Sequence, residues 1–176
     1  MPSRCNRYSP YTGCVSYQRV ETTDSLLVVD FLNTVDVEEQ TDLLTEPALW
    51  QAWAAERGLQ PDPWQEARST RDALRAAIGD PRLSGTGTGT AVRIELTPDG
   101  PALTADNVVG AVLAAAARLA VLDDWRRLKI CPADDCLWAF YDHSRNRSRT
   151  WCSMRVCGNR EKARAWRDRR SPVDQH

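Results

Sequence analysis

Two pairs of cysteines toward the C-terminal end constrain this chain more than any other feature. Cys131 and Cys136 have four residues between them, and after fifteen more residues Cys152 and Cys157 repeat that spacing. Each pair can grip one edge of a tetrahedral ion while the segment between the pairs folds into a loop or hairpin, so four soft thiolates in this order suit Zn²⁺. The usual pairs are tighter, with two residues between cysteines. Buried thiols or two disulfides are the alternatives. A segment this charged cannot build an adequate apolar core unaided, and metal is a usual substitute. Disulfides need an oxidising compartment, whereas Met1 to Asp24 shows no apolar run resembling a signal peptide. The expectation is one structural Zn²⁺ held by Cys131, Cys136, Cys152 and Cys157, closed to further ligands, in a reducing cytoplasm.

With the ligands placed, the residues around them form recognisable words: Phe140, Asp142 and Ser144, then Trp151-Cys152-Ser153-Met154, then Cys157-Gly158-Asn159-Arg160. This stretch resembles the CGNR zinc finger. It departs from that pattern at Thr150, where a second Arg often precedes the Trp, and at Leu137-Trp138, where Gly-Trp often follows the second Cys. Neither departure touches a metal ligand.

At 176 residues with 42% apolar content, the chain can hold one modest domain and a small appended module. The net charge of −1 conceals an asymmetry. Arg126 to Arg170 holds 13 Lys or Arg against 5 Asp or Glu, a surplus of eight positive charges, and the remainder holds 10 against 19. An acidic body bears a basic end, which points to a polyanionic partner for that end.

In chain order, residues 1–24 are polar, with Cys5 and Cys14 in no motif, and read as a disordered extension or a start assigned too early. Leu26 to Thr34 fits a helix or a buried strand, and helix is preferred. Thr45 reads as an N-cap with Pro47 in the first turn and Gly58 as the stop, and Asp62 as the cap of the next helix, with Pro63 at its first position and Gln65 placed for a capping box. The apolar stripe of that helix, Trp64, Ala67, Leu74 and Ile78, includes Arg71. A guanidinium on a buried face needs a partner, and Asp30 is the nearest candidate. Asp30, Asn33 and Arg71 are accordingly expected to form either a structural polar site or a pocket for an anionic small-molecule effector. Ser84 to Thr90 is a glycine-rich loop without the lysine of a phosphate-binding loop. Ala91 to Leu96 alternates as a strand, Thr97 to Gly100 reads as a tight turn, and a helix is expected from Thr104 to about Leu128. The most apolar stretch, Gly110 to Leu122, is short and interrupted by Arg118, so no membrane span is expected.

The body also resembles the ABATE domain, which stands N-terminal to CGNR fingers in proteins described as stress-induced transcription regulators. The likeness rests on Leu27 to Thr34 with its Asp-Phe-Leu-Asn-Thr, on Leu49 to Trp53, and on Arg71 to Arg75. It implies a mostly helical body with a small β element. The expected fold class is therefore α+β, mainly α: residues 25–125 as the ABATE-like domain, 126–170 as the Cys₄ finger, treble-clef-like or a zinc ribbon with a trailing helix, and 171–176 as a tail.

Within the finger, Cys131 and Pro132 form a knuckle, Leu137 to Asp142 a strand, and Gly158 to Arg170 a helix. On that helix Arg160, Arg164 and Arg167 recur at i, i+4 and i+7 as a basic face, with Ala163 and Trp166 turned inward, while Arg145, Arg147 and Arg149 make a basic loop. With Asn159, these are the candidate nucleic-acid-binding residues. DNA is the expected partner, in a bacterial-type transcription regulator working as a homodimer or with a partner protein. A zinc-stabilised protein-interaction module and RNA binding are the alternatives. With two histidines in the chain and the finger cysteines committed to metal, no nucleophile and base form a recognisable pair, and an enzyme is not expected.

Overall fold

Helix α1 (Thr23–Leu32) carries Val28, Phe31 and Leu32 on one fully buried face. The spacing i, i+3, i+4 lines up only in a helix, which resolves the choice between helix and strand. The structure, a computed structural model, describes residues 23–170 apart from Thr86 and Thr88. The expectations for residues 1–22, including Cys5 and Cys14, and for the tail 171–176 fall outside the described residues. Asp24 belongs to α1, where it pairs with Arg118 at 2.6 Å.

A short hairpin follows, β1 (Val35–Asp36) with β2 (Thr41–Asp42), and leads through a 3₁₀ turn at Leu43–Thr45 into α2 (Pro47–Glu56). Asp42 caps the 3₁₀ turn by accepting from the Leu44 N–H at 3.1 Å. Thr45 does not cap α2; its hydroxyl donates to the Asp42 carbonyl at 2.7 Å. Helix α3 (Trp64–Ala77) begins after Pro63 with no side-chain cap. Asp62 caps a different helix, accepting from the Val109 N–H at 2.8 Å and from the Asn107 amide at the start of α4 (Val108–Val121). The cap is tertiary, so its partner lies beyond the reach of a local sequence pattern.

Between α3 and α4 stands the hairpin β3 (Arg93–Thr97) and β4 (Gly100–Thr104), closed by Pro98 and Asp99. Thr104 pairs with Arg93 in this hairpin, so the expected helix from Thr104 to Leu128 is shorter at both ends. It stops where Asp123 takes a left-handed backbone (φ 59°), a helix terminator. A 3₁₀ turn at Trp125–Arg127 then delivers the hairpin β5 (Leu128–Ile130) and β6 (Ala139–Tyr141).

The main core joins α1, α2, α3 and α4 through Val28, Phe31, Trp50, Leu74, Val112 and Leu119, and runs on without a break into Leu128, Ile130, Leu137, Ala139 and Tyr141 of the finger. Trp50 and Trp53 stack at 5.5 Å beside Phe31, and the Trp50 indole N–H donates to the Asp62 carbonyl at 2.8 Å. Aromatic bulk and a satisfied indole let this corner exclude water without an orphaned donor.

Arg71 is buried in α3, as its place on the stripe required, but its partner is not Asp30. Its Nη1 and Nη2 reach both oxygens of Asp42 at 2.6 and 2.9 Å, Nε reaches Asp72 at 3.1 Å, and Nη1 also reaches the Thr34 hydroxyl at 3.3 Å. Burial works against the charge, but Asp42 and Asp72 outweigh it and hold the Arg71 pKa above its ordinary value. Asp30 is exposed and pairs instead with Arg57 at 3.0 Å, whose guanidinium sits 3.8 Å over the Trp53 ring. Arg71→Met alone is expected to cost about 3 kcal/mol or more, because it strands Asp42. Combining it with Asp42→Leu should recover at least about 1 kcal/mol, whereas Asp30→Leu should add independently; chemical denaturation of the cycle checks both.

Candidate metal centre and the basic surface beside it

The sulfurs of Cys131, Cys136, Cys152 and Cys157 all lie within 4.8 Å of one another. Cys136 and Cys152 are 3.6 Å apart at their sulfurs, and Cys152 and Cys157 are also 3.6 Å apart. A disulfide would require about 2.05 Å, whereas Zn–S bonds of about 2.3 Å in a tetrahedron set sulfurs about 3.8 Å apart. The four thiols are free and three are buried. The site fits one structural Zn²⁺ and, with four protein ligands, has no open position.

The first knuckle is built by local geometry. The Cys136 and Leu137 N–H groups fold back onto the Ala133 carbonyl at 3.0 and 3.2 Å, and the Cys131 N–H donates to the Trp138 carbonyl at 2.9 Å. In the second pair, Cys157 sits on a π-turn, Met154–Gly158, opened by Ser153, whose hydroxyl accepts from the Val156 N–H. A Cβ at Gly158 would overlap the Met154 sulfur and stand 3.2 Å from the Trp151 ring, so a larger residue there would require the exposed Met154 side chain to move aside and the ring to give slightly. Burial opposes ionisation of Cys131, but the Cys152 and Ala133 N–H groups aimed at its sulfur outweigh it and lower its pKa. Burial pushes Cys136 up to about 11 and raises Cys152 as well.

Asp142, fully buried at the end of β6, organises the loop after the hairpin. It accepts from Lys129 Nζ at 2.6 Å and from the Ser144 and Arg149 N–H groups at 2.8 and 2.9 Å. Burial pushes its carboxyl up, yet these donors prevail and hold it at about 2. Arg127 adds bonds to the Asp142 and Ser144 carbonyls.

This framework decides where each expected nucleic-acid residue lies. Arg147 is tied to Asp123 at 2.7 Å, and Arg149 donates to the Trp151 and Cys152 carbonyls with its guanidinium 4.9 Å from the Phe140 ring. Arg160 bridges Asp135 in the first knuckle at 2.7 Å and Glu38 of the body at 3.1 Å, and Arg164 reaches Glu161 and Asp135. The phase of α5 (Asn159–Arg170) therefore differs from the expected one. Arg160, Glu161 and Arg164 form its inner, half-buried face, while Ala163 and Trp166, expected inward, are exposed. Asn159, Lys162, Trp166, Arg167 and Arg169 are exposed, as are Arg155 and Arg145 before the helix. Arg145, Arg155, Lys162 and Arg169 have no acidic partner among the described residues.

Asp30, Asn33 and Arg71 do not converge. Asn33 turns to the finger, where its amide donates to the Ala139 carbonyl and accepts the Ala139 N–H, both at 2.8 Å, so one side chain pairs β6 as a neighbouring strand would. A cavity of about 600 Å³ opens beside it, lined by Asn33, Thr34, Asp36, Asp42, Glu46 and Trp138 among others. Three carboxylates in that lining disfavour an anion. Arg75 was missed by sequence reasoning, although it stands one helical turn after Arg71 on the same stripe. It has no exposed surface, and it donates to the Leu137 carbonyl at the finger knuckle at 2.6 Å.

The protein should bind one zinc, and Cys157→Ser should lose it to a competing chelator. Because burial raises the Cys136 and Cys152 thiols above their ordinary value, zinc is expected to displace at least about two protons near neutrality, so affinity should fall at least about 100-fold per unit drop in pH there. A competition titration across neutral pH measures the slope. At the seam, Asn33→Ala leaves the Ala139 N–H and carbonyl without partners and should cost about 1–3 kcal/mol, read by denaturation and by faster hydrogen exchange at Ala139.

Two family models match the chain. One, described as CGNR zinc finger, covers residues 127–170. The other, ABATE, described as "putative stress-induced transcription regulator", covers residues 26–136. No curated protein matches the chain.

Proposed function

Since the chain belongs to the ABATE family and ends in a CGNR zinc finger, we propose that it is a DNA-binding transcription regulator whose finger docks on duplex DNA through the outer face of α5. The observation that carries this reading is the set of exposed cations without acidic partners among the described residues, Arg145, Arg155, Lys162 and Arg169, on a segment with eight surplus positive charges. Arg155, Asn159, Lys162, Trp166 and Arg169 recur at helical spacing along one side of the π-turn and α5, so their charged ends can follow a phosphate backbone while Asn159 meets a base edge. Arg160 and Arg164 support that face from behind by fixing the helix to Asp135. The reading further assigns the protein to a bacterial cytoplasm under stress control, with the acidic body repelling nucleic acid from all but the basic end.

No helix among the described residues is long and apolar enough to cross a membrane. A closed four-thiolate site supplies architecture and no reaction.

A second reading has its own observation. Met154, Val156 and Trp166 are 56%, 51% and 52% exposed beside the cations, which suits a protein partner. Salt separates the two, because phosphate neutralisation makes the logarithm of affinity fall linearly with the logarithm of salt concentration. Replacing Arg155, Lys162 and Arg169 by Ala should weaken binding to all duplexes and lower the salt slope by about one unit for each phosphate no longer neutralised. Arg160→Ala should instead loosen α5 and reduce zinc retention. If the triple variant keeps its zinc and binds duplex DNA as tightly as the wild type at every salt concentration, the DNA reading fails and the protein-partner reading takes its place.

A further inference from the structure

The hairpin β3–β4 presents an edge and a face that nothing described covers. Ile94 and Leu96 are 74% and 87% exposed, and Val92 just before the strand is 37% exposed. By the alternation of the strand these three side chains share one face, next to Pro101 and Leu103 across the hairpin.

The phase of the ladder shows which way the main chain points. Pro101 has no N–H to donate, so its pair with Leu96 is a non-hydrogen-bonded one, and by alternation the pair of Ile94 with Leu103 is another. The N–H and carbonyl groups of Ile94 and Leu96 therefore point away from β4, toward an edge that pairs with no other strand among the described residues. The outer edge of β4 is blunted by comparison. Pro101 offers no donor there, and the Leu103 carbonyl accepts from Arg118 at 3.3 Å.

The sequence of the open edge, Val92-Arg93-Ile94-Glu95-Leu96, is self-complementary about its centre. Antiparallel pairing of two copies about an axis through Ile94 sets Ile94 opposite Ile94, Val92 opposite Leu96, and Arg93 opposite Glu95 on both sides. The outward donors and acceptors of one copy then meet those of the other, aliphatic side chains meet aliphatic ones on one face, and opposite charges meet on the other face. Arg93 pairs with Asp106 through Nη2 at 2.8 Å and reaches Glu95 of its own strand through Nε at 3.3 Å, so the guanidinium lies on the face the second copy's carboxylate would enter, where it would be shared between Asp106 and that carboxylate. We propose that this chain forms a twofold homodimer by pairing β3 with β3 of a second copy, giving a four-stranded sheet in the order β4–β3–β3–β4. Such an isologous contact closes on itself and stops at two chains. It also carries two fingers on one particle, although the contact needs no DNA.

Sedimentation of the full zinc-loaded chain over a range of concentrations, without DNA, tests this directly. The wild type should dimerise. Ile94→Pro removes the central outward donor while leaving the β3–β4 ladder intact, and should weaken the dimer at least about tenfold with zinc content and circular dichroism unchanged. Arg93→Glu should weaken it as well by setting like charges opposite each other, and Arg93→Glu combined with Glu95→Arg should restore it, because the reversed pair is again complementary. A wild type that stays monomeric throughout overturns the proposal. So does an Ile94→Pro variant that dimerises as tightly as the wild type, or a double charge reversal that is no tighter than the single one.

Discussion

Arg75 has no exposed surface, and its guanidinium is where three separate parts of the chain meet. Nε donates to Asp80 at 2.9 Å, Nη1 to the Leu32 carbonyl at the end of α1 at 2.8 Å, and Nη2 to the Leu137 carbonyl at 2.6 Å. Leaving one of these buried donors without its acceptor would cost about 1–3 kcal/mol, and more if the one lost is the Asp80 carboxylate, so the position of each acceptor matters. Burial lowers the Arg75 pKa, and Asp80 offsets this only in part. Asp80 keeps its own pKa below the ordinary value because Arg82 and Arg75 outweigh its burial. The consequence reaches the metal. Leu137 follows the ligand Cys136 directly and takes a left-handed backbone (φ 50°), and the carbonyl it presents to α3 fixes the exit of the first zinc knuckle. A charge placed inside the body thus depends on the shape of the finger.

The same seam is closed at three further points: Asn33 on Ala139, Arg160 on Glu38, and the core that runs from Val28 to Tyr141. The two matched families overlap between residues 127 and 136, and the hairpin limb in that interval packs on body helices while leading into the zinc ligands. The body supplies the apolar surface that a small charged finger lacks, and the finger supplies the carbonyls that α3 needs. Zinc affinity and body stability are therefore linked through β6.

Sequence patterns located what depends on local chemistry. Thiol spacing gave the metal, the Val92-Ile94-Leu96 alternation gave a strand, and helical spacing placed Arg71 inside. What they could not locate depends on which elements become neighbours. Asp42 rather than Asp30 faces Arg71, because a two-residue strand pairing turns the chain back under α3. Asp62 caps α4 in space. The phase of α5 follows from Asp135 and Glu38, one in the knuckle and one far upstream, and neither belongs to a helical pattern that would rank Arg160 as inward.

The charge asymmetry takes on a different meaning once these pairs are in place. Of the cations in Arg126 to Arg170, Lys129 is held by Asp142, Arg164 by Glu161 and Asp135, Arg127 by Asp124, Arg126 and Arg147 by Asp123, and Arg160 by Asp135 and Glu38. Three of these acids, Glu38, Asp123 and Asp124, belong to the acidic remainder of the chain. Part of the contrast between an acidic body and a basic finger is thus neutralised internally, at the junction, where opposite charges at 2.7–3.7 Å help register one against the other. The exposed pairs among these, on Asp123 and Glu38, are worth little individually, about 0–1 kcal/mol, so their effect is on orientation more than on stability. The field that reaches solvent comes from cations those acids do not touch, among them Arg155, Lys162 and Arg169 on the outer side of α5 and its approach and Arg145 in the loop after β6.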